Sequence, residues 1–512
     1  MRLPSVLTIP INTAGRLRAA LADPSRRERT VFLSLAAYVL VWAVYGTIAK
    51  SSQGLHFDMV EVIAWSRDLS WGYLKHPPLA AALVRAWFTV FPVTEFTYYL
   101  LAMVMPALAL WFAWRLSADY LDIEKRIGGL ALQMLVPFFN FHALKFNVNT
   151  VLMPVWAMTT FWFLRSVRTR SVSYAALAGF GAALCMLGKY WSIFLLAGLI
   201  VAALLDKRRA GYFKSPAPWI SVAVGLVAMA PHLYWLWVHD FAPFTYALAV
   251  HGDKPFGGTV FAAFGYLLGS IGYVALPVIL VLAATRPNRA ELAGLMADMA
   301  WPRDTERRLA AAAFWAPFLL PMAGAIASDA EITSLWSMAS WTLLAVLLLS
   351  SPRVTWQEID SRRVVLLAAA LPLVMLLASP LIAILSRPPG PPPVNAQARL
   401  LATEVERVWH ETISQKLAFV GGDGDIVLGV VAYAADKPRA LMSELVQPSA
   451  AQIKRRGMVL LCFTGDAGCL RAAKLKAGTA PSRTTQTDIT QTIWGKFMPA
   501  RHYTMIVVPP RL

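Results

Sequence analysis

The sequence predicts an α-helical protein that crosses a membrane about eleven times and ends in a small α/β domain. Three observations predict it. Of 512 residues, 57% are hydrophobic and only 15% charged, with mean hydropathy +0.54, too little charge to cover a soluble globule of this length. Apolar runs of about 20 residues, enough to cross a bilayer's hydrocarbon core, recur along the chain. The segments between those runs alternate between rich and poor in Lys and Arg, as the positive-inside rule requires.

The runs fall near 31–49, 96–116, 127–143, 150–165, 173–188, 191–205, 219–238, 259–284, 309–327, 333–350 and 364–386. The connectors near 115–126, 165–170, 206–214, 286–308 and 351–363 carry Arg115, Lys125, Arg126, Arg165, Arg168, Arg170, Lys207, Arg208, Arg209, Arg286, Arg289, Arg303, Arg307, Arg308, Arg353, Arg362 and Arg363. These are expected on the cytoplasmic side. Segments 50–95, 140–150, 188–191, 239–258 and 328–332 are poor in Lys and Arg, so they are expected outside. Residues 1–30 hold Arg2, Arg16, Arg18, Arg26, Arg27 and Arg29 against Asp23 and Glu28. A continuous apolar span follows with no cleavage-site pattern, which reads as a cytoplasmic basic N-terminus and a retained first helix. The same alternation puts the C-terminus in the periplasm.

Two outward segments are more than connectors. Segment 50–95 contains Trp65, Trp71, Trp87 and several prolines. It reads as interfacial helices, since Ala80–Phe91 is too short to span. The tail, 387–512, opens with the stiff linker Arg387-Pro388-Pro389-Gly390-Pro391-Pro392-Pro393. An amphipathic helix is expected over about 396–411. Short apolar runs follow at Ile426–Val431, Val459–Phe463 and Thr504–Val508, separated by turn residues, the pattern of a periplasmic α/β module of about 110 residues. Cys462 and Cys469 lie in this module, where an oxidising compartment would either join them in a short-loop disulfide or leave them as separate thiols. Cys185 lies within a span and reads as packing.

The formal charge of +18 does not indicate nucleic acid, because the cations sit between apolar spans rather than on one soluble face. The chemistry-bearing residues gather instead on the first outward segment. Asp58 and Glu61 stand three apart, hence on one helical face, and Trp65 and Asp68 continue that stripe. Such a stripe is either the wet face of an interfacial helix or the seat of a general base. Periodicity does not separate the two.

The run Gly54-Leu55-His56-Phe57-Asp58-Met59-Val60-Glu61, followed by Trp65-Ser66 and Gly72-Tyr73-Leu74-Lys75-His76-Pro77-Pro78-Leu79, resembles the first periplasmic loop of the family-39-like GT-C glycosyltransferases. These include the lipid A aminoarabinose transferase, the protein O-mannosyltransferases and the rhizobial lipopolysaccharide galacturonosyltransferases. Where the family has an adjacent Asp-Glu pair, this chain has Asp58-Met59, with Glu61 two positions on. The resemblance therefore implies Asp58 as the base and Glu61 as a substrate or positioning contact, with Tyr73 and His76 beside them. Leu187-Gly188-Lys189-Tyr190 matches the family's lysine-tyrosine element. Lys189 would hold the phosphate of a polyprenyl-phosphate sugar donor, with Tyr190 next to it. Otherwise Lys189 is a snorkelling lysine at a helix end. Asn147 and Asn149 would bind a sugar hydroxyl or cap a helix. Pro231-His232 and His251 resemble the family's outward loop after span seven; His251 would contact donor phosphate or acceptor, or be structural.

The resemblance thus implies a GT-C membrane enzyme that moves a sugar with inversion from a polyprenyl phosphate to an acceptor of the cell envelope, lipopolysaccharide core or lipid A by preference. No cofactor is expected. His56, Asp58, Glu61 and His76 offer divalent-ion ligand types, but their spacing matches no established signature. The absence of a Gly-rich phosphate cradle fits a lipid-linked donor. A transporter or flippase of a lipid-linked substrate would instead show paired charges within spans and inverted repeats, and neither is evident. A non-catalytic scaffold leaves the Asp58 motif without a reason.

Overall fold

A computed structural model describes residues 5–252, 255–387, 390–442, 445, 447–493 and 495–511, with side chains from residue 12 onward. Arg2, Pro388 and Pro389, which figured in the basic N-terminus and the linker, lie outside the described residues. The chain divides into two compact units, one of Met1–Trp42 and Leu100–Leu376, the other of Ala43–Tyr99 and Leu377–Leu512.

Six described helices are long and apolar enough to cross a membrane: Arg27–Ala49, Glu95–Ser117, Ala217–Val238, Phe256–Thr285, Thr305–Ala327 and Glu358–Leu385. Shorter or less apolar helices cover Val148–Thr169, Val172–Gly188, Ile193–Leu205 and Ser334–Leu349. The protein is therefore a multi-pass membrane protein. One expected span differs. The run 127–143 is α-helical only over Ile123–Met134, followed by a single 3-10 turn at Pro137–Phe139, because Pro137 removes a donor and turns the preceding residue away from helical backbone. The exposed carbonyls find other partners: Asn140 Nδ2 donates to Met134 O at 3.1 Å and the Tyr38 hydroxyl to Phe139 O at 2.9 Å.

Two further helices stand where the sequence suggested connectors. Ser5–Ala22 precedes the first span, and Arg289–Ala300 lies within the basic segment 286–308. The latter starts at a capping box, Asn288 with Glu291, a signal present in the sequence.

In the first unit, small residues let helices approach closely, as packing between membrane helices favours. A methyl group at Gly179 would lie 2.2 Å from Ser221 O, and one at Gly198 2.4 Å from the Pro317 nitrogen. Cys185 is buried against the Thr159 hydroxyl.

The second unit is built on a five-stranded sheet, β1 Phe419–Gly422, β2 Arg439–Ala440, β3 Met458–Phe463, β4 Arg483–Ile489 and, after the short β5 Thr492–Ile493 and β6 Lys496–Phe497 pair, β7 Arg501–Val508, ordered β2-β1-β3-β7-β4. β1 pairs in parallel with β2 and β3, while β7 runs antiparallel between β3 and β4. The apolar runs 459–463 and 504–508 are the two central strands, buried on both faces. The run 426–431 is instead the interior of a buried helix, Gly424–Tyr433. Its start is set by Asp423, whose carboxylate accepts from the Asp425 and Ile426 amides. The expected amphipathic helix spans Val394–His410 and buries Gln397, Leu401, Val405 and Trp409 along one stripe. A disulfide joins Cys462, at the end of β3, to Cys469 on the helix Ala467–Ala477.

Residues 43–99 belong to this same unit. Their helices Phe57–Ser66 and Leu79–Val90 pack on each other, and Phe57–Ser66 also packs on Gly424–Tyr433. Gly54 takes φ +70°, and a Cβ there would lie 2.4 Å from Asn395 O, so backbone meets backbone where only glycine fits.

Candidate active site

The first set of candidate residues stands on and after the helix Phe57–Ser66. His56 caps its start: the imidazole Nδ1 accepts from the Asp58 amide at 3.1 Å. From Met59 to Ser66 the helix is buried throughout, so the expected half-wet interfacial helix is instead an interior one. The reason is tertiary, since the helices Leu79–Val90 and Gly424–Tyr433 both pack on it. Asp58 is the exception. Its side chain stays 31% exposed in the first turn, 3.5 Å from His56 Nδ1, where the helix N-terminus favours the ionised carboxylate.

Glu61, one turn on, is only 11% exposed at its side chain and accepts from Lys75 Nζ at 2.5 Å. Lys75 also lies 6.0 Å from the centre of the Phe57 ring. Tyr73 is buried and stacks on Trp65, while its hydroxyl reaches Trp65 O at 3.0 Å and Asp68 O at 3.1 Å. Burial, together with the nearby Asp68 charge, pushes the Tyr73 phenol up to about 12, so it remains a neutral donor. His76 meets the edge of Trp65 and accepts through its carbonyl from the Tyr73 amide at 3.0 Å. The Gly-Tyr-x-x-His-Pro-Pro run is thus a turn closed on Trp65.

Three charged links bind this loop to the tail of the same unit. Arg67 donates to Val431 O and Ala432 O, each at 3.1 Å, at the end of the helix Gly424–Tyr433, where carbonyls lack intrahelical partners. Arg439 pairs with Asp68. Glu95 takes Tyr433 Oη at 2.6 Å on one oxygen and Arg399 Nη2 at 2.9 Å on the other, while Arg399 lies over the Tyr433 ring. Burial, with the Glu95 charge behind it, holds the Tyr433 phenol well above its ordinary range.

The second set lies in the other unit. The helix Val172–Gly188 stops at Lys189, whose backbone is extended. The Lys189 ammonium is 2.9 Å from Asn149 Oδ1 and 4.4 Å from the centre of the Trp336 ring. His251, the last residue of the helix Ala242–His251, meets Trp336 edge-on at 5.3 Å. Asn149, Lys189, His251 and Trp336 therefore form one cluster. Asn147 caps the helix Val148–Thr169, accepting from the Asn149 and Thr150 amides. The Tyr190 hydroxyl lies 3.1 Å from Nε2 of the buried His232. Among the described residues no group of three or more His, Cys, Asp and Glu side chains gathers as a metal cluster would.

Sequence reasoning missed Lys75, Trp336 and the anchors Arg67, Glu95 and Arg439. Lys75 stood inside the quoted motif and carried no role. Trp336 was absorbed into a hydrophobic span, because nothing local marks an indole as the seat of a cation.

Comparison with known proteins bears on the fold and on part of the chain. Residues 75–235 match the family model described as dolichyl-phosphate-mannose-protein mannosyltransferase. The lipopolysaccharide core galacturonosyltransferase RgtB of Rhizobium johnstonii is 28% identical over 222 residues, 42% of this chain and 44% of that protein. The lipid A galacturonosyltransferase RgtD of the same organism is 26% identical over 185 residues, 36% of this chain and 38% of that protein. The matches span less than half the length of either relative. Among solved structures, ArnT from Cupriavidus metallidurans bound to undecaprenyl phosphate superposes with TM-score 0.57 and 12% identity, covering 93% of this chain and 97% of that one. Its apo form gives the same values. The fold is that of the GT-C glycosyltransferases, as the loop resemblance implied.

Proposed function

We propose that this chain, having the GT-C fold, is a glycosyltransferase of the bacterial inner membrane. It moves a sugar from a polyprenyl phosphate to an acceptor of the cell envelope on the periplasmic face. The similarity to galacturonosyltransferases of lipopolysaccharide core and lipid A makes those the preferred acceptors. The undecaprenyl phosphate held by the structurally similar protein supports a polyprenyl phosphate as carrier.

One observation carries the assignment of the base. Of the two carboxylates on the helix Phe57–Ser66, Asp58 is open in the first turn and Glu61 is sunk against Lys75. A general base must reach the proton that it takes. Asp58 removes the acceptor's hydroxyl proton as that oxygen attacks the anomeric carbon; the bond from that carbon to the phosphate oxygen breaks, and the lipid phosphate leaves with the electron pair. A single displacement inverts the anomeric centre. Lys189 stabilises the charge growing on the leaving phosphate, with Asn149 orienting the ammonium. Asn147 and Tyr190 act as supports, through the cap and the His232 contact. No metal is required for these steps.

The test is a deletion strain analysed by mass spectrometry of lipid A, core and other envelope glycans, complemented with wild type and with Asp58→Asn. Wild type restores the missing sugar. Asp58→Asn, at equal abundance and thermal transition, is expected to lower transfer by about a hundredfold or more. Full restoration by that variant removes Asp58 as base.

A further inference from the structure

The sheet domain also carries a basic cleft that the transfer chemistry does not use. Between positions 450 and 483 the sequence holds Lys454, Arg455, Arg456, Arg471, Lys474, Lys476 and Arg483 against the single acid Asp466. Three of these elements meet around a cleft of about 230 Å³: the helix Ala450–Arg456, the end of the helix Ala467–Ala477, and the chain just after β7. Its rim bears Lys454, Lys476 and Arg511. Its floor is apolar, formed by Ile453 and by the core residues Met458 and Val508.

Arg399, Arg407, Arg439 and Arg483 each meet a carboxylate. Among the described residues, Lys454, Lys476 and Arg511 meet none. Lys476 instead reaches a backbone carbonyl, Leu441 O, at 3.4 Å, and the Arg511 amide donates to Lys454 O at 2.8 Å, fixing one cationic residue beside another. Like charges brought together without counter-charge raise the energy of the empty domain and favour an anion at that spot. The apolar floor adds a preference for an anion carried on a hydrophobic body.

We propose that this cleft binds the phosphate of an acylated glycolipid, and so gives the enzyme a second hold on its acceptor. The inference rests on the glycosyltransferase reading for its biological meaning, but not for its test. Three cationic side chains lining one cleft suit a phosphate. The volume admits a phosphorylated sugar and the start of its apolar substituents, while a flat bilayer surface would call for a belt of cations rather than a pocket.

Binding is measured with the full-length protein in nanodiscs of zwitterionic phospholipid, without donor, using bis-phosphorylated lipid A, dephosphorylated lipid A and inorganic phosphate as probes. Phosphatidylglycerol in the nanodisc serves as the competitor. The variant Lys454→Gln/Lys476→Gln is expected to bind the phosphorylated probe at least about tenfold more weakly. It should bind the dephosphorylated probe as wild type does. Arg471→Gln/Lys474→Gln, which removes two cations outside the cleft, should bind like wild type. Equal losses in both double variants would mean diffuse charge attraction and overturn the proposal. So would unchanged binding by Lys454→Gln/Lys476→Gln, or full competition by phosphatidylglycerol or by inorganic phosphate at concentrations like those of the glycolipid. Binding is read without donor and turnover and compares only cleft variants with wild type, so a failed base assignment and a failed cleft give different results.

Discussion

The loop that carries Asp58 and the cluster around Lys189 hold their charged groups in different ways. In the loop, anions are met by cations from the same unit: Glu61 by Lys75, Asp68 by Arg439, Glu95 by Arg399. Around Lys189 the described contacts are an amide oxygen and indole faces, from Asn149, Trp191 and Trp336. Opposite charges in a pair lower each other's energy and fix the chain between them. Neutral dipoles and ring faces orient an ammonium by direction rather than by neutralising it. The loop's ion pairs thus build shape, with Asp58 the more exposed of the two carboxylates on its helix, while an amide oxygen and ring faces orient Lys189. Variants in the loop should therefore register first in stability, and variants at Lys189 first in ligand affinity.

The largest expected effect on the loop comes from Glu61→Gln, which removes the carboxylate charge beside the mostly buried Lys75. The thermal or denaturant midpoint should fall by the equivalent of about 2–3 kcal/mol, below the range for a fully buried pair because Lys75 retains some exposure. Replacing both partners, Glu61→Leu with Lys75→Met, should recover most of it. If this double variant is stable and still transfers sugar, Glu61 is a positioning group; if it is stable and inactive, Glu61 touches substrate. Next is Lys189→Ala. Its apparent donor affinity in a reconstituted assay should fall about tenfold with the melting midpoint unchanged. A shifted midpoint with unchanged affinity would reverse the contrast between the two regions.

Smaller effects probe the anchors. Glu95→Gln and Arg399→Gln, alone and combined, should show a coupling below about 1 kcal/mol, since both side chains retain solvent contact. Finally, burial by itself would lower the His410 pKa, but the hydrogen bonds of its ring to Asp436, 2.8 Å from Nε2, and to Ile413 O, with the Asp436 and Glu406 charges, together outweigh it, and the net shift is upward. A raised folded-state pKa stabilises fully at pH below the unfolded value and is lost as pH rises through the folded one. The domain's melting midpoint should therefore decline slightly from acid toward neutral and higher pH in wild type. In His410→Gln that decline should be absent.

What the sequence determined by itself was the membrane class, the helices that fill nearly every apolar run, the amphipathic start of the tail and the central strands. These follow from length, hydropathy and periodicity, which act within a window of one element. The loop motif marked Asp58 and Lys189 through resemblance. Only the tertiary structure decided that residues 43–99 and the tail form one compact unit. Glu95 meets Arg399 and Tyr433, and Asp68 meets Arg439, across more than 300 positions. In the sequence those residues look like any solvated face. The loop resemblance already set Asp58 apart from Glu61, but their surroundings are read only in three dimensions. On a helix they share a side, and the turn through Tyr73 and His76 brings Lys75 to Glu61. A carboxylate's role follows from the charge and water that reach it, and those arrive from residues that no local pattern names.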